Sequence, residues 1–150
     1  GAMNRPPRPP SQGIFNHLMI SQILVSSVIM GVIGFIAWYY MISTGVEENT
    51  ARNLAVLLFV LLENVHVFNC RSEFVSAFRM PLSRNLFLVG SVIAAQAIHQ
   101  IAMHIPVLQD VLGLEPVTLT QWGVLFAAAC IIVIIMEIFK VVWPKVVKTE

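Results

Sequence analysis

The chain has 150 residues, of which 57% are hydrophobic and 11% are charged, with a formal net charge of +1. Because a soluble domain has about 25% charged residues, this composition argues against a water-soluble enzyme and against a disordered chain. The near-neutral charge carries no electrostatic signature of nucleic-acid binding.

The apolar residues form four blocks, and each is close to the roughly 20 residues that a helix needs to cross a bilayer. Backbone polar groups have no water to bind inside lipid, so these blocks must be helices. Thr118 and Gln121 have the spacing of a capping box, which predicts the start of the fourth helix. The sequence therefore predicts an all-α bundle of four transmembrane helices, at about 17–42, 51–69, 86–105 and 122–143.

The segments outside the blocks predict the orientation. All Lys and Arg residues except Arg52 fall in the N-terminal lead-in, in the second connection or at the C-terminal end. The positive-inside rule then places both termini in the cytoplasm. Residues 1–3 are typical of a cloning scar, so we expect a piece of a longer protein or a trimmed small one. Residues 4–16 form a Pro-rich cytoplasmic lead-in and residues 144–150 a cytoplasmic tail.

Glu63 is the acidic residue that lies near the middle of a predicted span, with Asn64 and His66 close behind it. A carboxylate at this depth costs at least about 2.5 kcal/mol, so it needs a partner, an ion or a proton. Carboxylate and amide oxygens suit hard cations such as Ca²⁺. The residues alone leave two interpretations open, a cation ligand and a protonated carboxyl group that holds two helices together.

The third predicted helix has a polar stripe. Gln96, His99, Gln100 and His104 follow one another at spacings that place them on one helical face. Such a stripe could line an ion or proton path, but we favour hydrogen-bonded packing between helices, which is the commoner use of these residues. The same interpretation applies to His66, and the packing alternative for Asn64 stays open.

Two further patterns predict helix contacts. Ser27, Gly31 and Gly34 place small residues one turn apart, a face that lets another helix approach closely, whether or not that helix is in this chain. Glu137 precedes Lys140 by three residues, which predicts an ion pair with a lysine that reaches towards the membrane interface.

Motifs for catalysis are missing from the sequence. It has no G-x-x-x-x-G-K-[ST] loop, no G-x-G-x-x-G turn after a strand, and no Ser, His and Asp set placed for nucleophilic attack. We therefore expect no catalytic residue, no cofactor and no ATP hydrolysis in this piece. Glu63 is the only metal-ligand candidate that the sequence offers.

Six segments together resemble the C-terminal membrane region of P-type cation-transporting ATPases, in the calcium-pump-like branch. The resemblance runs from Asn4 to Lys140 and matches the seventh to tenth transmembrane helices of that family. The segments are Arg5-Pro6-Pro7-Arg8-Pro9-Pro10 with Ile14-Phe15, residues 63–73, Asn85-Leu86, Ile105–Leu108, Leu119–Trp122 and Glu137–Lys140.

The resemblance implies a parent pump that couples ATP-driven aspartyl phosphorylation to cation transport, with Ca²⁺ as the expected cation and ATP and Mg²⁺ as its cofactors. Its partners would be the other transmembrane helices, the cytoplasmic domains and the lipid bilayer. Most ion ligands of such pumps lie on the fourth, fifth and sixth helices, which this chain lacks. Glu63 aligns with a glutamate of the eighth helix that is a ligand in sarcoplasmic-reticulum-like calcium pumps.

Other classes of protein remain as alternatives. The runner-up is a stand-alone four-helix membrane protein, either a small channel or an accessory subunit. An intramembrane enzyme would need a nucleophile with a base, and the sequence shows no such pair. The plain loops and the absence of targeting motifs fit a multi-pass protein of a prokaryotic inner membrane.

Overall fold

The computed structural model describes residues 17–72 and 75–147, and these residues form an all-helical structure with no strand. Two 3₁₀ turns, Ala77–Arg79 and Leu82–Asn85, lie between the second and third helices. The predicted scar at 1–3, the lead-in at 4–16 and the last three residues of the tail lie outside the described residues. The α-helices are α1 (His17–Ser43), α2 (Glu48–Asn69), α3 (Leu86–Ala102), α4 (Pro106–Leu112) and α5 (Leu119–Val147).

Four helical segments of the described chain are long and apolar enough to span a membrane. They are His17–Ser43, Glu48–Asn69, Leu82–Ala102 and Leu119–Trp143. The predicted all-α architecture with four spans is therefore confirmed, whereas the cytoplasmic placement of both termini stays a prediction.

The third predicted span ends early, and the segment after it folds. α3 stops at Ala102 instead of residue 105 because Ile105, which precedes Pro106, has the extended backbone that a following proline imposes. Pro106 then begins α4, a short helix absent from the sequence prediction. Gly113 ends α4 with a φ of 63°, a left-handed conformation that glycine adopts without strain.

The fourth span is longer than its apolar run. α5 begins at Leu119 and continues to Val147, beyond the predicted limits of 122 and 143. The capping box is confirmed: Thr118 N donates to Gln121 Oε1 at 2.8 Å, and Gln121 N donates to Thr118 Oγ1 at 3.2 Å. A helix begins at its cap and not at its first apolar residue, which explains the earlier start.

The core of the bundle is centred on α2. α2 packs most extensively against α5 and next against α1. Its leucines 57, 58, 61 and 62 have at most 2% of their surface exposed. Met30 and Met41 from α1, and Ala129, Ile132 and Met136 from α5, complete this core. α3 buries none of its residues and lies at the edge of the bundle.

Candidate functional site

Glu63 lies on the outer side of α2. The neighbouring Leu61 and Leu62 point into the core, and the 100° turn to the next residue carries Glu63 out of it. Its carboxylate forms no hydrogen bond or ion pair with any residue that the structure describes. The side chain borders a groove of about 380 Å³ between α2 and α3, whose α3 wall is formed by Leu88, Ser91, Val92 and Ala95.

Asn64 and His66 flank the same groove. Both are half-buried, and Asn64 Nδ2 and His66 Nδ1 are buried atoms without a hydrogen-bond partner in the described chain. Glu63 and His66 are one turn apart, so they share a face of α2. No three His, Cys, Asp or Glu side chains among the described residues are placed to hold a metal ion together. The described residues therefore do not bring Glu63 together with two further His, Cys, Asp or Glu ligands.

The polar stripe of the third helix has three members on α3. Gln96, His99 and Gln100 are half-buried, and each keeps a buried Nε2 atom without a partner in the described residues. Trp122 Nε1 of α5 donates to Gln96 Oε1 at 3.4 Å, which is one interhelical contact of the predicted kind. His104 lies beyond the end of α3 and is exposed, with Nδ1 at 2.8 Å from the carbonyl oxygen of Gln100. The predicted four-residue face thus fails at His104, because the helix ends first.

An apolar cavity of about 720 Å³ separates α3 from α2 and α5. Phe68, Phe126 and Val133 contribute to its wall, together with Asn64 and Gln96. The cavity explains why the Gln96–Trp122 hydrogen bond is long, since α3 and α5 do not pack closely around it.

The three small residues of α1 lie in two different environments. Gly34 is buried, and a Cβ atom added to it would overlap the ring of Phe59 on α2. Ser27 and Gly31 are exposed, and a Cβ on Gly31 would meet no atom within 4 Å. Gly34 therefore permits the close approach of α1 and α2, while Ser27 and Gly31 face away from the described residues.

A polar cluster ties the end of α2 to α5. The predicted pair is present, with Lys140 Nζ at 3.4 Å from Glu137 Oε1. Lys140 does not reach for the interface, however: only 7% of the residue is exposed, and Nζ also donates to the carbonyl oxygens of Asn69 at 3.0 Å and Val75 at 3.4 Å. The i,i+3 spacing indicated the ion pair, but no local pattern could indicate acceptors about 70 residues away.

A second polar contact holds the opposite end of α2. Thr50 Oγ1 donates to Glu115 Oε2 at 2.9 Å, and Asn53 Nδ2 donates to the carbonyl oxygen of Glu115 at 2.8 Å. Asn53 is 2% exposed. Sequence reasoning missed this contact, because Glu115 lies in a connection and carries no motif.

Comparisons with known proteins place these residues in context. The family described as "Cation transporting ATPase, C-terminus" matches residues 1–142. The chain is 31% identical over 137 residues to the "Probable cation-transporting ATPase F" of Mycobacterium tuberculosis (strain H37Rv), covering 91% of the chain and 15% of that protein. It is 27% identical over 130 residues to the "Calcium-transporting ATPase" of Bacillus subtilis, covering 86% of the chain and 14% of that protein. It is 28% identical over 145 residues to the "Calcium-transporting ATPase type 2C member 2" of Mus musculus, covering 96% and 15%.

Proposed function

Because the chain belongs to the family of cation-transporting ATPase C-termini, we propose that it is the last membrane region of a cation pump and that Glu63 supplies one ligand of the pump's cation site. The chain spans about 15% of the length of the curated relatives that it matches. The activity of the whole protein, including ATP and Mg²⁺ use, therefore belongs to the proposal. The other transmembrane helices, the cytoplasmic domains and the bilayer are its proposed partners.

The position of Glu63 carries this proposal. An ionised side chain at mid-span is costly, and such groups face a partner, a cavity or an ion path. Glu63 forms no hydrogen bond or ion pair with the described residues and lies outside the core that α1, α2 and α5 form. Its free carboxylate is thus available to a cation held jointly with helices that the chain lacks. A protonated carboxyl group that held α2 to another helix of this chain would show a hydrogen bond to it, and no described residue supplies one.

Ca²⁺ is the cation that we propose. Carboxylate oxygens are hard ligands, which Ca²⁺ prefers. The names of two relatives, from Bacillus subtilis and Mus musculus, refer to calcium transport. The family match favours a pump region over a stand-alone channel or accessory subunit, and a prokaryotic inner membrane remains part of the proposal.

The test uses the full-length protein that contains this chain. Glu63→Gln keeps the size of the side chain but removes its charge, so we expect the Ca²⁺ concentration for half-maximal phosphorylation by ATP to rise about tenfold or more, which corresponds to about 1.4 kcal/mol. Glu48→Gln is the matched control, because Glu48 is an exposed glutamate at the other end of α2. The same measurement with Mn²⁺ tests the choice of cation. An unchanged Ca²⁺ dependence in Glu63→Gln would remove Glu63 from the ligands.

A further inference from the structure

Lys140 joins three separate segments of the chain. An ammonium group has three N–H donors. Lys140 Nζ has one acceptor at the end of α2, one in the following loop and one on α5: Asn69 O at 3.0 Å, Val75 O at 3.4 Å and Glu137 Oε1 at 3.4 Å. Every donor of this buried cation is therefore matched by an acceptor.

Glu137 closes the arrangement from the other side. Its Oε1 atom accepts a hydrogen bond from Ala77 N at 2.9 Å, in the same loop that Lys140 binds through Val75. The two α5 side chains thus hold the loop at two points and the end of α2 at one. We refer to Asn69, Val75, Ala77, Glu137 and Lys140 as the Lys140 clamp.

The Lys140 clamp fixes the position of the end of α2 and is not needed for stability alone. Burying an ion pair costs desolvation energy, and apolar residues of similar volume are often as stabilising. A cation at the C-terminal end of a helix also interacts favourably with the helix dipole, and this interaction depends on its position. The clamp therefore specifies where α2 ends relative to α5, a geometry that leucine packing leaves adjustable.

The geometry of Glu63 depends on the same helix. Glu63 precedes Asn69 by six residues, about 9 Å along the axis, and α2 is continuous between them. A helix moves as a rigid element over this length, so a slide or rotation at Asn69 displaces the Glu63 carboxylate equally. A cation ligand must be held within about 0.5 Å of its working position.

We infer that Lys140 is a positioning residue for the cation site, which acts by holding the end of α2 and thereby the depth and rotation of Glu63. The inference rests on the proposed role of Glu63. It assigns to the tenth-helix segment of this chain an influence on cation affinity without contact with the cation.

The first experiment compares Lys140→Met with Lys140→Arg in the full-length protein. Methionine fills the space but cannot donate, so the Ca²⁺ concentration for half-maximal phosphorylation should rise between about three- and tenfold, while the maximal level per folded protein changes little. Arginine keeps the charge and several donors and should recover part of the affinity. Ile138→Ala is the control, because Ile138 is an exposed residue of the same helix. A purely structural role would lower the amount of folded protein and leave the half-maximal concentration unchanged, which would overturn the inference.

A milder variant covers the case in which Lys140→Met does not fold. Glu137→Gln keeps an oxygen that can accept from Ala77 N and Lys140 Nζ but removes the negative charge. We expect a smaller rise in the half-maximal Ca²⁺ concentration than for Lys140→Met. If Lys140→Met does not fold, an unchanged half-maximal Ca²⁺ concentration in Glu137→Gln would count against the inference.

The double variant separates the inference from the proposed function. If Lys140 acts through Glu63, Glu63→Gln with Lys140→Met should be no weaker for Ca²⁺ than Glu63→Gln alone. Independent, additive losses would show that Lys140 acts by another route and would overturn the inference while the ligand role of Glu63 stands. A normal Ca²⁺ dependence in the Glu63→Gln single variant would instead refute the proposed function.

Discussion

The spans Glu48–Asn69 and Leu82–Ala102 contain 18-residue windows of nearly the same mean hydropathy, yet α2 and α3, the helices of these spans, pack in opposite ways. α2 buries eight of its 22 residues, whereas α3 buries none of its 17. The difference shows that an apolar composition places a helix in the lipid but does not place it in the core. Lipid tails are as apolar as leucine, so the choice depends on close packing and on polar contacts between helices.

α2 also has more polar contacts with the rest of the described chain than α3 has. α2 is held near one end by Glu115, through Thr50 and Asn53, and at the other by Lys140. α3 shares with α5 a single side-chain hydrogen bond among the described residues, from Trp122 to Gln96 at 3.4 Å. α2 is thus fixed along its axis, while α3 borders a groove and a cavity. Polar contacts at both ends of α2 fix the position of Glu63, the residue that we propose as a ligand.

The largest expected effect comes from the core of α2. Leu58→Ala removes a side chain with no exposed surface and should lower the free energy of unfolding by about 2–4 kcal/mol, because the surrounding helices cannot close the cavity. Ile98→Ala on α3 is the matched change at a residue that is 68% exposed, and it should be close to neutral. Thermal unfolding of the full-length protein in detergent would measure both. Equal losses would break the contrast between the two helices.

A smaller effect is expected where α1 approaches α2. Gly34→Ala places a methyl group against the Phe59 ring, and the ring must move, at a cost of about 1 kcal/mol. Gly31→Ala, one turn away, meets open space and should be neutral or slightly stabilising, because alanine is the better helix former. The same unfolding measurement applies to both variants. A loss at Gly31 that matched the loss at Gly34 would show that the Ser27 and Gly31 face packs against another helix of the complete protein.

The smallest effects concern the polar contacts at mid-bundle and at the Glu115 end. Asn53→Ala removes the hydrogen bond to the carbonyl oxygen of Glu115 and should cost about 0.6 kcal/mol, the average for a side-chain hydrogen bond that joins two segments of a membrane protein. Gln96→Leu removes the long bond to Trp122 and should cost less, since that bond has poor geometry. Chemical denaturation of the two variants side by side would rank them. A greater loss at Gln96 would indicate that α3 is held more firmly than its exposure suggests.

Local patterns predicted much of the fold. The capping box at Thr118 and the pair of Glu137 with Lys140 involve residues three apart, so the sequence contains all the information they need. α4 escaped prediction because it follows from the extended backbone before Pro106 and from the left-handed Gly113, and not from an apolar block. The acceptors of Lys140 could not be predicted from the sequence either, since tertiary folding alone brings Asn69 to α5.

The sequence also predicted only part of the candidate site. The sequence indicated Glu63, because a lone acidic residue in an apolar run is costly wherever the run packs. It did not assign the buried side of α2, because apolar residues such as Val56 and Phe59 also lie on its exposed side. The exposure of Glu63 and the exclusion of His104 from the α3 stripe both follow from how the helices end and pack.

The sequence by itself determined the all-helical architecture with four segments apolar enough to span a membrane, and it indicated Glu63 as the acidic residue well inside one of them. These properties depend on hydropathy and on residue spacing within single helices. The tertiary structure alone decided that α2 is the central helix, that α3 is peripheral, and that Lys140 binds the end of α2. Each of these depends on shape and on polar contacts between residues far apart in the chain. Lipid solvates all apolar helices alike, so hydropathy does not decide which helix becomes central.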